Sequence, residues 1–319
     1  MQQAKSNKSI LRILSLALVL LLLVGMLGVG VSAETASPLK GTTVSLGSEL
    51  VVNFYAEVTD TEGAAMTFCV NENTKTVPVT QARHIEGNLY AFPCAIAAAQ
   101  MTDTIEATLN DSGNTYQTST SVRDYAQKLF ASKQWDKLAA TDMMVTTLNY
   151  GAAAQTYFGY NTEILANAGY EKAAEAAIPE ADSSSRASGS VSGIAYYGAS
   201  LVFESKIAVR FYFTVSEDIA DYDFSIGEAP VAKNGMYYVE IPGIDPQDYA
   251  DEITLTVSDG TDELSVTYSP MHYISRMNSK TDSQNLKDLL GNLYGYHLTA
   301  VNYLADPYGN DKDNLVSAQ

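Results

Sequence analysis

The sequence predicts an α+β protein of two tandem homologous units, each a β-sandwich-like sheet followed by a two-helix hairpin. Three observations carry this expectation. Five segments recur in the same order at an offset of 146 to 157 residues. Within each copy, stretches of period-2 alternation precede stretches of helical spacing. A polar stretch, Ala181-Asp-Ser-Ser-Ser-Arg-Ala-Ser-Gly-Ser190, separates the copies.

Residues 1–33 read as a signal peptide. Lys5, Lys8 and Arg12 give a positive start, the apolar run Ile13 to Val24 continues through Gly25 to Val31, and Val31-Ser32-Ala33 sets a cleavage site after Ala33. An uncleaved anchor over Ile10 to Val31 is the rival reading; the glycine-rich end favours cleavage. No cysteine precedes Cys69, which excludes a lipoprotein anchor. Removal takes three of the 19 basic residues and none of the 37 acidic ones, moving the net charge from −18 to −21. The mature form is expected to be extracellular and not membrane-spanning.

The first unit is placed at 42–162. Ser45 to Tyr55 opens it as a strand, and Asn88 to Phe92 follows as another. Ile105 to Leu109, the turn Asp111-Ser-Gly113 and Tyr116 to Ser119 form a hairpin. Ser121 caps a helix with Asp124 three residues on and the stripe Val122, Tyr125, Ala126, Leu129, Phe130. A second helix covers roughly Asp136 to Tyr160. Residues 163–192 are an Ala-rich segment and polar linker.

The second unit is placed at 193–305. Ser200 to Tyr212 repeats the Ser-Leu to Phe-Tyr motif, and Gly235 to Val239 matches Asn88 to Phe92. Ile253, Leu255 and Val257 alternate with polar residues, Asp259-Gly260 turns the chain, and Leu264 to Tyr268 returns. Ser269 caps the next helix with Pro270 at its first position. The last helix, roughly Asp282 to Leu304, carries Leu289, Leu293, Tyr296, Ala300 and Tyr303 on one stripe. An alternative packing gathers all four helices into one central bundle. Residues 306–319 form an acidic tail that lacks the closing Glu and glycine position of a calcium loop, so no metal site is assigned.

The string Leu148-Asn-Tyr-Gly-Ala-Ala-Ala-Gln-Thr-Tyr-Phe158, with Ser121-Val-Arg-Asp-Tyr125 before it, resembles a recurrent module of secreted and surface proteins from Gram-positive gut anaerobes of the clostridial type. Gly198-Ala-Ser-Leu201 and Ile207-Ala-Val-Arg-Phe-Tyr212 resemble that module's second half, while Leu293-Tyr-Gly-Tyr-His-Leu-Thr-Ala300 departs from its usual Asn-Gln-Ala-Ala helix. The resemblance covers nearly the whole mature chain. It implies an extracellular location and a paired-unit fold, and it implies no catalytic residues.

Composition then excludes classes of partner. A chain this acidic neutralises few phosphates, which argues against nucleic acid and anionic lipid. Zinc-protease, nucleophile-elbow and phosphate-loop motifs are absent from the sequence, and His84, His272 and His297 share no pattern. No catalytic residue and no cofactor are expected; a hydrolase with an unrecognised carboxylate pair is the enzymatic alternative. Cys69 and Cys94 are a candidate disulfide or two buried thiols.

Tyrosine is the suggestive residue for binding: 13 of the 21 follow Ser192. Neighbours in a strand point to opposite faces, so one of Tyr196-Tyr197 and one of Tyr237-Tyr238 should face outward. These four and the single Trp135 are the candidate ligand contacts. The function expected is non-catalytic binding of an extracellular protein or glycan, host mucosal or microbial. A structural role in the cell envelope is the alternative.

Overall fold

The computed structural model describes residues 37–132, 139–170, 177–182, 186–203 and 205–305, with the two-residue strand Val19–Leu20. The signal cleavage site, the acidic tail and Trp135 lie outside these residues.

Eight strands come first: β1 (Leu39–Leu46), β2 (Leu50–Glu57), β3 (Ala65–Val70), β4 (Asn73–Pro78), β5 (Arg83–Glu86), β6 (Leu89–Ile96), β7 (Ile105–Asp111) and β8 (Asn114–Thr120). They form two antiparallel sheets ordered β1-β2-β6-β5, with Val19–Leu20 at the β1 edge, and β4-β3-β7-β8. Helices α1 (Val122–Ala131) and α2 (Ala139–Phe158) follow.

The second half holds β9 (Ala187–Gly189), β10 (Ile194–Phe203), β11 (Ile207–Val215), β12 (Asp223–Phe224), β13 (Val231–Lys233), β14 (Met236–Pro242), β15 (Ile253–Ser258) and β16 (Glu263–Tyr268). Its sheets are ordered β10-β11-β14-β13 and β9-β16-β15-β12. Helices α3 (Pro270–Lys280) and α4 (Gln284–Ala305) complete the chain. The protein is thus α+β, with four antiparallel sheets and four helices among the described residues.

Alternation decides what each sheet buries. Along β2, Val52, Phe54 and Ala56 point inward and are sealed; Phe54 meets Phe68 of the facing sheet at 5.2 Å between ring centroids. Along β11, Val209, Phe211 and Phe213 do the same, and Phe211 meets Tyr268 at 6.5 Å. Burying each such side chain contributes about 1.5 to 3 kcal/mol.

The turns follow their residues. Ser112 and Gly113 both have positive φ, the backbone required by a two-residue hairpin of twist-matched hand. In the second hairpin the Asp259 carboxylate accepts from the N–H groups of Thr261 and Asp262, both at 2.8 Å.

Both predicted caps form. Ser121 Oγ accepts from the Asp124 N–H at 2.9 Å, and Ser269 Oγ accepts from the His272 N–H at 3.3 Å. His272 answers through Nδ1, which accepts from the Ser269 N–H at 3.1 Å, so a histidine fills the place a Glu or Gln takes in a capping box.

The helices meet in the middle of the protein. Thr146 bonds Thr299 at 2.6 Å and Tyr150 stacks on Tyr296, so α2 and α4 run antiparallel, flanked by α1 and α3. One buried apolar cluster runs through both halves. Two further ties cross between them: Ile207 N–H donates to Ser48 O at 3.0 Å, and Ser48 N–H donates to the Asp245 carboxylate at 2.8 Å. The packing is nearer the central helical arrangement than a self-contained helical hairpin on each sheet.

Two details differ from the sequence expectation, which left the state of the cysteines open. The stretch read as polar linker contributes β9, which pairs Ala187 with Val266 and covers the open edge of β16. Its beginning is anchored too: Gln155 accepts from the Ala166 N–H at 2.8 Å and donates to Ile164 O at 3.0 Å.

The cysteines are not bonded; both are free thiols. Cys94 shares the inner side of β6 with Phe92 and Ile96, whereas Cys69, one residue past the inward Phe68, points to the outer side of β3. Opposite side-chain parity on two sheets keeps the sulfurs apart.

The Ser-Leu match is out of step as well. Strand register sets Thr43 opposite Asn53 and Ser200 opposite Arg210, so Thr43 and not Ser45 holds the place of Ser200.

Candidate binding face

The outer side of the β10-β11-β14-β13 sheet collects the side chains best suited to recognition. Register determines the set: Ser200 pairs with Arg210, Arg210 with Glu240, Gly198 with Tyr212, Tyr212 with Tyr238, and Tyr238 with Val231. All therefore project to one side, opposite to Phe211 and Phe213.

Tyr212 and Tyr238 lie side by side with centroids 5.8 Å apart. The Arg210 guanidinium sits 4.7 Å from the Tyr238 ring centroid, a cation–π contact. Its Nε donates to the Glu240 carboxylate at 2.7 Å, and Lys206 Nζ stands 3.6 Å from the same group. Burial alone would lower the Arg210 pKa, but bonding and attraction from Glu240 outweigh it and raise the pKa above the usual arginine value. The Tyr212 hydroxyl bonds Ser200 Oγ at 3.2 Å.

The result is a half-exposed pair of tyrosine rings, one of them set against an ion pair. Such a surface offers apolar area and hydroxyls with little side-chain entropy to lose. A β-bulge between Tyr196 and Gly198 throws Tyr197 out of the ladder, 70% exposed. A Cβ at Gly198 would meet nothing within 4 Å, so the sheet surface beside Tyr212 is open.

The candidates from sequence divide as alternation requires. Tyr197 and Tyr238 face outward. Tyr196 turns inward, 6.1 Å from Phe213, and burial is the main cause that pushes its hydroxyl up to about 12. Tyr237 pairs with Phe213 on the inner side. Sequence reasoning missed Tyr212, Arg210 and Glu240. The signal was present in Ile207 to Tyr212, where the residues alternating with Val209 and Phe211 had to face out.

The chain matches no family model and no curated protein sequence.

The corresponding face of the first half is closed. Tyr55 bonds Thr43 at 3.3 Å and accepts from Arg83 Nη2 at 3.4 Å, leaving the residue 7% exposed. Ala91 lies beside it where Tyr238 lies beside Tyr212.

The histidines serve local structure: His84 contacts Gly87 O at 2.9 Å, His272 caps α3, and His297 Nδ1 bonds Pro246 O at 2.6 Å. Among the described residues, no three His, Cys, Asp or Glu side chains converge as metal ligands, and no helix is long and apolar enough to cross a membrane.

Proposed function

We propose that the chain is a secreted, non-catalytic binding protein, built by tandem duplication, that recognises an extracellular protein or glycan through the Tyr212–Tyr238 face. The observation that carries the reading is that tyrosine pair, with Tyr238 set against Arg210 and its partner Glu240, on the same sheet as the exposed Tyr197. Duplication is supported by the like order of the β1-β2-β6-β5 and β10-β11-β14-β13 sheets, by bulges at Leu39/Gly41 and Tyr196/Gly198, and by the Thr43–Tyr55 and Ser200–Tyr212 bonds, whose partners correspond at an offset of 157 residues. The resemblance to the clostridial-type module supports an extracellular setting. With the first half's face closed by Arg83, binding rests on the second half and gains no avidity from two equal faces.

The test presents the mature protein to glycan arrays and mucosal protein extracts, alongside Y212A/Y238A. A ligand retained by the parent and lost by the variant is expected. Absence of any retained ligand would sink the proposal.

A role in envelope assembly is favoured by one separate observation, the exposed apolar side chains Tyr157, Phe158 and Ile164 near the end of α2. Pull-down from the producing cell's own surface fraction tests it.

A further inference from the structure

Two hairpins run straight into capped helices, and they differ at one edge. Counted back from the capping serines, Val266 of β16 and Thr118 of β8 hold the same place, three residues ahead of Ser269 and Ser121. β16 has a strand on its far side: Ala187 pairs with Val266 and Gly189 with Leu264, and the Thr267 N–H donates to Arg186 O at 2.8 Å. Among the described residues, β8 pairs with β7 alone. Burial follows the difference. Leu264 and Val266 are buried, whereas Tyr116 and Thr118 are only half-buried. A cavity of about 60 Å³ opens beside Thr118, lined also by Leu39, Gly41 and Phe54.

Open edges are ordinarily blocked by a charge, a proline, a bulge or sheer brevity. The other long edges use these devices. β1 carries Lys40 and the bulge at Leu39/Gly41, β4 carries Lys75 and Pro78, and β10 has the bulge at Tyr196/Gly198. β5, β9, β12 and β13 run four residues or fewer. β8 is seven residues long, Asn114-Thr-Tyr-Gln-Thr-Ser-Thr120, with no charge, no proline and an unbroken register. Its outward side chains, Thr115, Gln117 and Ser119, are exposed.

The mature chain has no segment of its own in the place of β9. Gly189 lies nine residues ahead of Gly198, the glycine at the β10 bulge, and nine residues ahead of Gly41, the glycine at the β1 bulge, is Ser32. This step rests on the cleavage after Ala33 that belongs to the proposed secretion, and it is independent of the tyrosine face.

We infer that the β8 edge is a docking site for an extended strand of another polypeptide, laid antiparallel to Tyr116–Thr118 and held by main-chain hydrogen bonds. β9 gives the chemistry of the occupant. Ala187 stands opposite Val266, and a Cβ on Gly189 would collide with Glu263 O, so the close approach of the two backbones demands small residues. The partner segment is therefore of the type Ala-Ser-Gly, with a small apolar side chain opposite Thr118 that enters the cavity.

The probe is a peptide copying Arg186–Val191, titrated into the chain that begins at Glu34. Its S188P version is the control, since proline cannot donate to a ladder. Saturable binding of the first peptide and none of the second is expected. A chain carrying the residues of Arg186–Ser190 directly ahead of Glu34 restores the nine-residue spacing and should fill the edge from within. A tethered strand has a high effective concentration, so this graft should weaken peptide binding at least about tenfold. It should also slow amide exchange at Gln117 and Ser119 at least about tenfold, and the S188P graft should do neither. The inference is overturned if the peptide does not saturate, if the graft exchanges at those amides like the ungrafted chain, or if the S188P forms act equally. It is overturned too if the ungrafted chain protects those amides more as its concentration rises, which would assign the edge to a second copy. Y212A/Y238A should leave peptide binding intact, and N-terminal sequencing of the secreted chain checks the cleavage separately.

Discussion

Tyr150 and Tyr296 stack with ring centroids 5.9 Å apart and planes 11° apart, one from each half of the chain. Both are buried, and desolvation drives both hydroxyls well above the ordinary tyrosine value. Tyr150 lies on α2 and Tyr296 on α4. The stack therefore joins the two halves through one shared core.

That sharing sets the first prediction. Replacing Tyr296 with Ala removes a large buried side chain from the core that both halves share and should cost about 3 to 5 kcal/mol. Because the apolar cluster is continuous, calorimetry should show one unfolding transition in the parent and one, at lower temperature, in Y296A. Two separate transitions in the parent, only one of them moved by Y296A, would show that the halves unfold independently.

Much of this was legible in the sequence because local rules decide it. Ser121 and Ser269 announce their helices, Ser112-Gly113 and Asp259-Gly260 announce hairpins, and alternation sorts Tyr196 from Tyr197 and Tyr237 from Tyr238. What was not legible depends on register and on long-range pairing. The Ser45/Ser200 match slipped by two because similar strands align almost as well in either phase. Nothing local in Ala187–Gly189 foretells a strand; it pairs because β16 presents an open edge. Arg210 and Glu240 are 30 residues apart, and only the β11–β14 pairing makes them neighbours to Tyr238.

The cysteines give the second prediction. Burial pushes the Cys94 thiol up to about 11, against a smaller opposing pull from Lys75. Since the thiolate is the reactive form, Cys94 should resist alkylation at pH 8 while the half-buried Cys69 reacts first. Mass spectrometry should find one adduct in the folded protein and two after unfolding. An air-oxidised sample should still yield two thiols per chain; a mass two units lower with none would contradict the strand parity.

His272 supplies the third. Burial first, and the nearby charge of Arg186 second, lower its pKa below the usual histidine value, so the fold favours the neutral ring that accepts from Ser269. The contribution is intact above the unfolded value of about 6.5 and is lost as pH falls through that value toward the lowered one. Asp182 and Glu252 pull the other way and narrow the window without closing it. H272A should cost about 1 kcal/mol at pH 7.5, the scale of a helix cap. Denaturant melts should show the gap shrinking by pH 5, and a constant gap would rule out the cap as its source.

Asp111 carries a pH dependence at the acid end of the scale. Its carboxylate gathers four donors: the Thr59 N–H and Asp60 N–H, each at 2.8 Å, the Thr59 hydroxyl at 2.9 Å and the Ser112 hydroxyl at 3.3 Å. Burial alone would raise the pKa, but these bonds together outweigh it and hold the group below the usual aspartate value. The bonds tie the loop after β2 to the β7–β8 turn, across about 50 residues of chain. A depressed folded pKa means the stabilisation is fully present above the unfolded value, about 3.9, and disappears as pH falls through the folded one. D111N keeps the shape but turns an amide N–H₂ toward backbone donors, so it should destabilise by about 1.5 to 3 kcal/mol at neutral pH. As the pH falls through that folded value the parent loses the same charge and the two proteins should converge. Melting curves for both between pH 2.5 and pH 7 decide the matter: a difference that persists undiminished at the acid end would assign the loss to packing rather than to the carboxylate.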